Sequence, residues 1–187
     1  MMRYLHQSWK RSKIFRVILI SVSIYALLRM MIHGVFLVEL LQTNIKGYDL
    51  QLYLDAASHL QTGQSLYPQG TLDYVEFYQY SPAYALAFTP FLWLPLPGVM
   101  IILSLLHVGA YGLLYWLWSR IFQRLELDRA RQVLAAALPI WIIFSQFWAD
   151  LGYLNIYIFM AVLSTLLIDA ILNENLGRAL LWLSVIL

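Results

Sequence analysis

The sequence predicts an all-α, polytopic membrane protein, and three observations carry that prediction. Hydrophobic residues make up 61% of the chain and charged residues only 12%, about half the charged share of a soluble domain. The charges are also segregated. None falls between Glu76 and Arg120, between Arg131 and Asp150, or between Asp150 and Asp169. Uncharged apolar runs of about 18 residues or more are long enough to cross a hydrocarbon core as helix. Seven Trp, thirteen Tyr and nine Phe suit two wet interfaces, where amphipathic rings anchor helix ends.

Composition excludes several classes of chemistry. With no cysteine there is no disulfide framework, thiolate metal site or cysteine nucleophile. The net charge of +2 gives no reason to expect a nucleic-acid partner. No internal repeat, low-complexity tract or cleavable signal stands out, because the first apolar run is too long for a signal peptide.

Residues 1–16 form a basic N-terminus: Arg3, Lys10, Arg11, Lys13 and Arg16 occur there with no acid among them. The first membrane helix is expected over 17–41. Beyond it, residues 42–81 hold Lys46 against Asp49, Asp55, Asp73 and Glu76. The positive-inside rule then puts the N-terminus in the cytoplasm and the acidic loop outside. The first span carries Arg29 near its middle, with His33 and Glu39 further along. An ionisable group at that depth faces protein or water, so Arg29 either pairs with a neighbouring helix or holds a lipid phosphate.

Residues 82–119 are apolar but broken at Leu94-Pro95-Leu96-Pro97-Gly98, which no straight helix tolerates. They form either two short crossings or a re-entrant arm followed by one crossing over 99–119. The basic loop 120–131, with four Arg against Glu126 and Asp128, favours the re-entrant arm, since this loop then lies in the cytoplasm. Within 132–187, spans are expected over 132–148 and 154–172, joined by a tight turn from Ala149 to Asn155. Nine residues follow Arg178, the last of them Leu187. They reach about 13–14 Å as helix, under half of a hydrocarbon core of about 30 Å. The expectation is an N-terminal part of a longer protein whose last span is truncated.

The loop 42–81 holds the candidate site. Gly47-Tyr48-Asp49 and the residues after it predict a short amphipathic helix, with Gly63 as its C-terminal stop. Residues 49, 53, 56, 57 and 60 share one face. Asp49 and Tyr53 then point the same way, with small alanines beside them leaving room for a ligand. The plainer reading is that Asp49 merely caps the helix.

The motif order is Gly47-x-Asp49-Leu50-x-x-Tyr53-x-x-Ala56-Ala57-x-x-Leu60-x-x-Gly63-x-x-Leu66-Tyr67-Pro68. Tyr78-x-Tyr80-Ser81-Pro82-x-x-Ala85-Leu86 and the breaks at Pro90-Phe91 and Leu94-Pro95 follow. This order resembles glycosyltransferase family 87, multi-spanning enzymes of the GT-C superfamily typified by polyprenyl-phosphate-mannose-dependent α-mannosyltransferases. The resemblance covers Gly47 to about Pro97. A second point of similarity is Gly152-Tyr153-Leu154-Asn155, where the family has Gly-Gln-x-Asn and Tyr153 replaces the glutamine. The family's later segments, including a Lys-Pro motif, are not in this sequence.

The resemblance implies a GT-C-like membrane glycosyltransferase. It would move a hexosyl group, mannosyl first, from a polyprenyl-phosphate sugar to a glycan or glycolipid acceptor hydroxyl, with inversion. It implies Asp49 as the general base and a site that faces outward across the cell (inner) membrane. Tyr53, Tyr67, Tyr80, Lys46 and Asn155 are candidates for substrate binding. Tyr78 belongs with them as a group that either meets sugar or anchors the interface. No cofactor or metal is expected: Asp73 and Glu76 accompany Asp49 in the loop, but no DxD-type spacing links them. A departing phosphate needs positive charge. The outer side offers only Lys46, His59 and Arg29, so the main phosphate clamp is expected beyond Leu187. The competing readings are a non-catalytic membrane subunit, or a lipid or solute transporter fragment using Arg29 and the Pro-broken helices as pathway elements.

Overall fold

The computed structural model describes residues 2–43, 49–67 and 78–186. Among the described residues all regular structure is helical. A short helix α1 (Met2–Arg11) leads into α2 (Lys13–Thr43), where the Ser12 hydroxyl accepts from Phe15 N at 3.1 Å and caps the new helix. At 31 residues, α2 reaches about 46 Å, enough to cross a bilayer with turns to spare. Its flanks expose Ile14, Val17, Leu27, Met31 and Val35, while His33, Leu37 and Leu40 are buried. Such a contiguous apolar face is suited to lipid or a partner helix rather than to water.

Helix α3 (Asp49–Thr62) ends as the sequence predicts. Gly63 adopts φ 71°, Gly63 N donates to Leu60 O at 3.3 Å and Gln64 N to His59 O at 2.8 Å. This pair of bonds closes the helix around a left-handed residue that glycine adopts without penalty. Helix α4 (Pro82–Phe88) follows, with Ser81 as N-cap and Pro82 in the first turn. A 3₁₀ turn over Thr89–Trp93 then ends at Leu94, held extended because Pro95 follows it. Neither piece is long enough to cross a membrane. Tyr84, Ala85 and Phe88 of α4 instead join one core with Leu50, Tyr53, Ala56 and Ala57 of α3.

Helix α5 (Leu96–Arg124) is the second helix long and apolar enough to span a membrane, after Lys13–Gln42 of α2. Around the span expected over 132–148 the chain forms three short helices: α6 (Asp128–Ala136), α7 (Leu138–Ile142) and α8 (Ser145–Tyr153). The axis bends by 55° between Asp128–Ala136 and Leu138–Tyr153. Pro139 is the physical reason, since it lacks the N–H that would continue α6 and its ring clashes with the preceding turn. Two further helices follow among the described residues, α9 (Tyr157–Leu172) and α10 (Leu176–Ile186).

Helices α5 and α9 pack in parallel. Ala110, Leu114 and Leu117 meet Ile158 and Val162, and the Arg124 guanidinium reaches Asp169 at 2.8 Å further along the same pair. The two ends of α5 carry different company. Val99, Met100 and Leu103 pack in the α3–α4 core, whereas Tyr115 donates to Leu134 O of α6 at 2.9 Å. At this latter end Tyr4 of α1 donates to Asp128 Oδ1 at 3.1 Å, and Arg131 lies over the Tyr4 ring at 5.5 Å. The basic N-terminus and the basic loop 120–131 therefore share one end of the bundle, and α3 sits at the other.

Candidate active site

Asp49 opens α3, half-buried, and its Oδ2 accepts a hydrogen bond from Asn155 Nδ2. The two residues are 106 positions apart in sequence, and the fold brings them together side chain to side chain. Asn155 is engaged on every side. Its Oδ1 accepts from the Tyr53 hydroxyl at 3.1 Å and from Ile156 N at 2.6 Å. Because those partners are donors, the oxygen of the amide is the atom that meets them, and its NH₂ must face Asp49. That orientation suits an ionised carboxylate, which can only accept.

The turn presenting Asn155 departs from ordinary helix endings. Leu154 is left-handed, at φ 52° and ψ 41°, with Leu154 N donating to Leu151 O at 3.3 Å and Asn155 N to Asp150 O at 3.0 Å. Glycine usually takes that position, and a side chain there costs about 1–2 kcal/mol. Here Gly152 lies two residues earlier, and Leu154 is buried in the α3–α4 core. Apolar burial offsets a conformation that the backbone resists.

Behind the turn lie two groups that sequence reasoning did not assign. His107 of α5 is fully buried. Its Nε2 lies 2.5 Å from the Asn155 backbone oxygen and its Nδ1 lies 2.7 Å from Leu103 O. Asp150 is buried too. Its Oδ2 accepts from Ile158 N at 3.0 Å, satisfying an orphan donor at the start of α9, and lies 3.9 Å from His107 Nε2. Its Oδ1 is buried with no hydrogen-bond partner among the described residues. Asp150 also lines an apolar cavity of about 360 Å³ with Tyr111, Trp141, Phe147 and Tyr157. A lone histidine in an uncharged stretch and a lone acid between two uncharged runs were the only sequence signals available for this pair.

The tyrosines divide into two kinds. Tyr53 is fully buried, its ring against Phe88 at 5.0 Å and Tyr80 at 5.5 Å. Its hydroxyl is directed to Asn155 rather than offered to a ligand. Burial, then the neighbouring Tyr80 and Asp49, push that hydroxyl far above its ordinary pKa, so it stays a donor. Tyr80 is half-buried and sits among Tyr53, Tyr78, Tyr84 and Tyr157, with ring centroids 5.5–6.5 Å away. Burial pushes it up to about 12. Tyr67 is exposed and donates to Tyr80 O at 2.8 Å, so these two candidates are adjacent. The buried Tyr78 donates to Ser81 O at 2.7 Å.

The remaining candidates lie elsewhere. Ala56 and Ala57 are packed into the core, and the ligand space expected beside them is filled by protein. Arg29 lies over the Trp148 ring at 5.7 Å and lines a small cavity with His33, Phe36 and Leu151. Among the described residues no three His, Asp or Glu side chains gather into a cation cage. Lys46, Asp73 and Glu76 lie outside the described residues.

Comparison with known proteins gives the family. The model of glycosyltransferase family 87 matches residues 78–183. That range takes in Tyr80, the Pro-broken segment, His107, Asp150 and Asn155, while Asp49 lies before it. No curated protein and no solved structure matches. The match covers more than half of a chain in which two helices among the described residues are long and apolar enough to span a bilayer: the chain belongs to glycosyltransferase family 87, a family of membrane glycosyltransferases.

Proposed function

We propose that this protein transfers a hexosyl group, mannosyl first, from a polyprenyl-phosphate sugar to a hydroxyl of a glycan or glycolipid acceptor. Asp49 acts as the general base. The observation that carries this reading is the clasp of Asn155 on Asp49, which joins the acid of α3 to a turn inside the family-matched region. A carboxylate at the start of a helix needs no such partner to serve as a cap. One held by an amide that is itself held by Tyr53 and by the backbone has a fixed direction, as a base requires.

In the proposed reaction the acceptor oxygen attacks the anomeric carbon from the face opposite the phosphate. The acceptor O–H bond breaks and its proton passes to Asp49. The bond from the anomeric carbon to the phosphate oxygen breaks, and polyprenyl phosphate leaves with the electron pair. The product is inverted. Tyr67 and Tyr80 form the rim where sugar hydroxyls and ring faces are met, and Tyr53 serves from behind by holding Asn155. Lys46 is assigned to substrate binding through its positive charge. In this reading the protein is a multi-pass protein of the cell membrane, with its N-terminus in the cytoplasm and α3 outside; the basic N-terminus against the acidic loop supports that orientation.

Donor class and stereochemistry are testable together. Membranes containing the protein, given polyprenyl-phosphate [¹⁴C]mannose, should yield a labelled product with α-linkage from a β-linked donor. The same membranes given a labelled nucleotide sugar, with lipid-linked sugar synthesis blocked, should yield none. Transfer from the nucleotide sugar alone, or product with retained configuration, would overturn the reading.

A further inference from the structure

We propose that His107 is a positioning residue for the transfer reaction, acting through Asn155 on the direction of Asp49. The inference rests on the reading of Asp49 as the base. Two carbonyl oxygens face the ring, that of Leu103 2.7 Å from His107 Nδ1 and that of Asn155 2.5 Å from Nε2; a carbonyl only accepts and a neutral imidazole carries one N–H, which the shorter contact assigns to Nε2. Asp150 Oδ2, 3.9 Å from the same nitrogen, favours a hydrogen there. The imidazole is fully buried, with the Phe159 ring packed edge-on at 4.8 Å, so it has little freedom to turn away.

The place where His107 pulls matters. The Asn155 backbone follows a left-handed Leu154, a conformation with a standing tendency to relax. The Asn155 side chain spans Asp49 and Tyr53. A rotation of this one peptide unit would swing the amide off the carboxylate. The His107 N–H opposes that rotation from the membrane-spanning helix, and Asp150 ties the same turn to the start of α9 through Ile158 N. Together they connect α5, the α8–α9 turn and α3.

The test is a double-mutant cycle on transfer activity in membranes, with KM and kcat measured separately. His107→Phe keeps the packing and removes the Nε2 donor. It should lower kcat about a hundredfold, the scale expected for a misplaced reacting group, with KM changed less than about threefold. Asn155→Ala should do the same, and the double variant should be no more than about twofold worse than the poorer single one. His107→Gln places an amide donor near the position of Nε2 and should recover most of the lost kcat.

Additive losses, or a Gln variant as poor as Phe, would overturn the proposal. A wild-type measurement decides the matter if His107→Phe does not fold. ¹⁵N NMR of the histidines, with His107 assigned through the Gln variant, must show hydrogen on Nε2, and a bare Nε2 overturns the proposal. The two levels of the argument separate cleanly. An active Asp49→Asn removes the base, whereas an inactive Asp49→Asn with an additive cycle removes only His107.

Discussion

At the scale of single residues, the proposed site is a carboxylate whose direction is set by an amide whose direction is set by its neighbours. Each link predicts a different loss. Tyr53→Phe deletes one donor to Asn155 Oδ1 while Ile156 N remains. It should lower kcat less than Asn155→Ala does, with stability reduced by about 1 kcal/mol, the usual scale of one net hydrogen bond. Urea or thermal titration beside the kinetics checks this. The tyrosines also predict an alkaline signature. Burial raises Tyr78 and Tyr80 to about 12, above the ordinary value near 10. The folded protein therefore keeps protons that the unfolded chain gives up. Their stabilising contribution is whole below about pH 10 and is lost as pH rises towards 12. Tyrosinate absorbance should show a late phase near pH 12, and Tyr80→Phe should diminish it.

At the scale of elements, much of the architecture was legible because Gly and Pro punctuate it. Gly63 marks the end of α3 in the sequence and adopts the left-handed conformation in the structure. A Cβ added there would meet nothing within 4 Å, so Gly63→Ala should cost about 1 kcal/mol through backbone strain alone. Pro139 gave the same kind of signal, yet an uncharged run over 132–148 reads as one span. Apolar content reports burial or lipid contact and is silent about a bend. The alanines of α3 were misread for a related reason: small residues on a helix face mark close approach, and sequence does not say whether a ligand or another helix approaches. Ala57 is fully buried. Ala57→Leu should therefore destabilise by about 1–3 kcal/mol as overpacking, measurable as a lowered melting temperature, rather than selectively raise KM.

At the scale of the whole molecule, Asp49 and Asn155 were each legible as members of motifs, but their meeting was not. Nothing in the spacing of two segments so far apart states which turns share a site. His107 and Asp150 were less legible still, because one buried histidine in an apolar helix looks like any other. The placement of both basic segments at one end of α5 bears on topology, which cysteine labelling tests in a chain with no native cysteine. An impermeant thiol reagent applied to intact cells should label Gln64→Cys and spare both Ser8→Cys and Glu126→Cys. Labelling at position 126 would mean that residues 82–119 cross twice, and would detach the loop 120–131 from the N-terminal face.

The central claim is that Asp49 takes the acceptor proton, and Asp49→Asn tests it most directly. The substitution preserves shape and hydrogen-bonding capacity and removes basicity. Transfer from polyprenyl-phosphate [¹⁴C]mannose, measured in membranes with equal amounts of inserted protein, should fall by about 10²–10⁴-fold, the usual worth of a positioned general base. Turnover close to wild type from the Asp49→Asn protein would contradict the account.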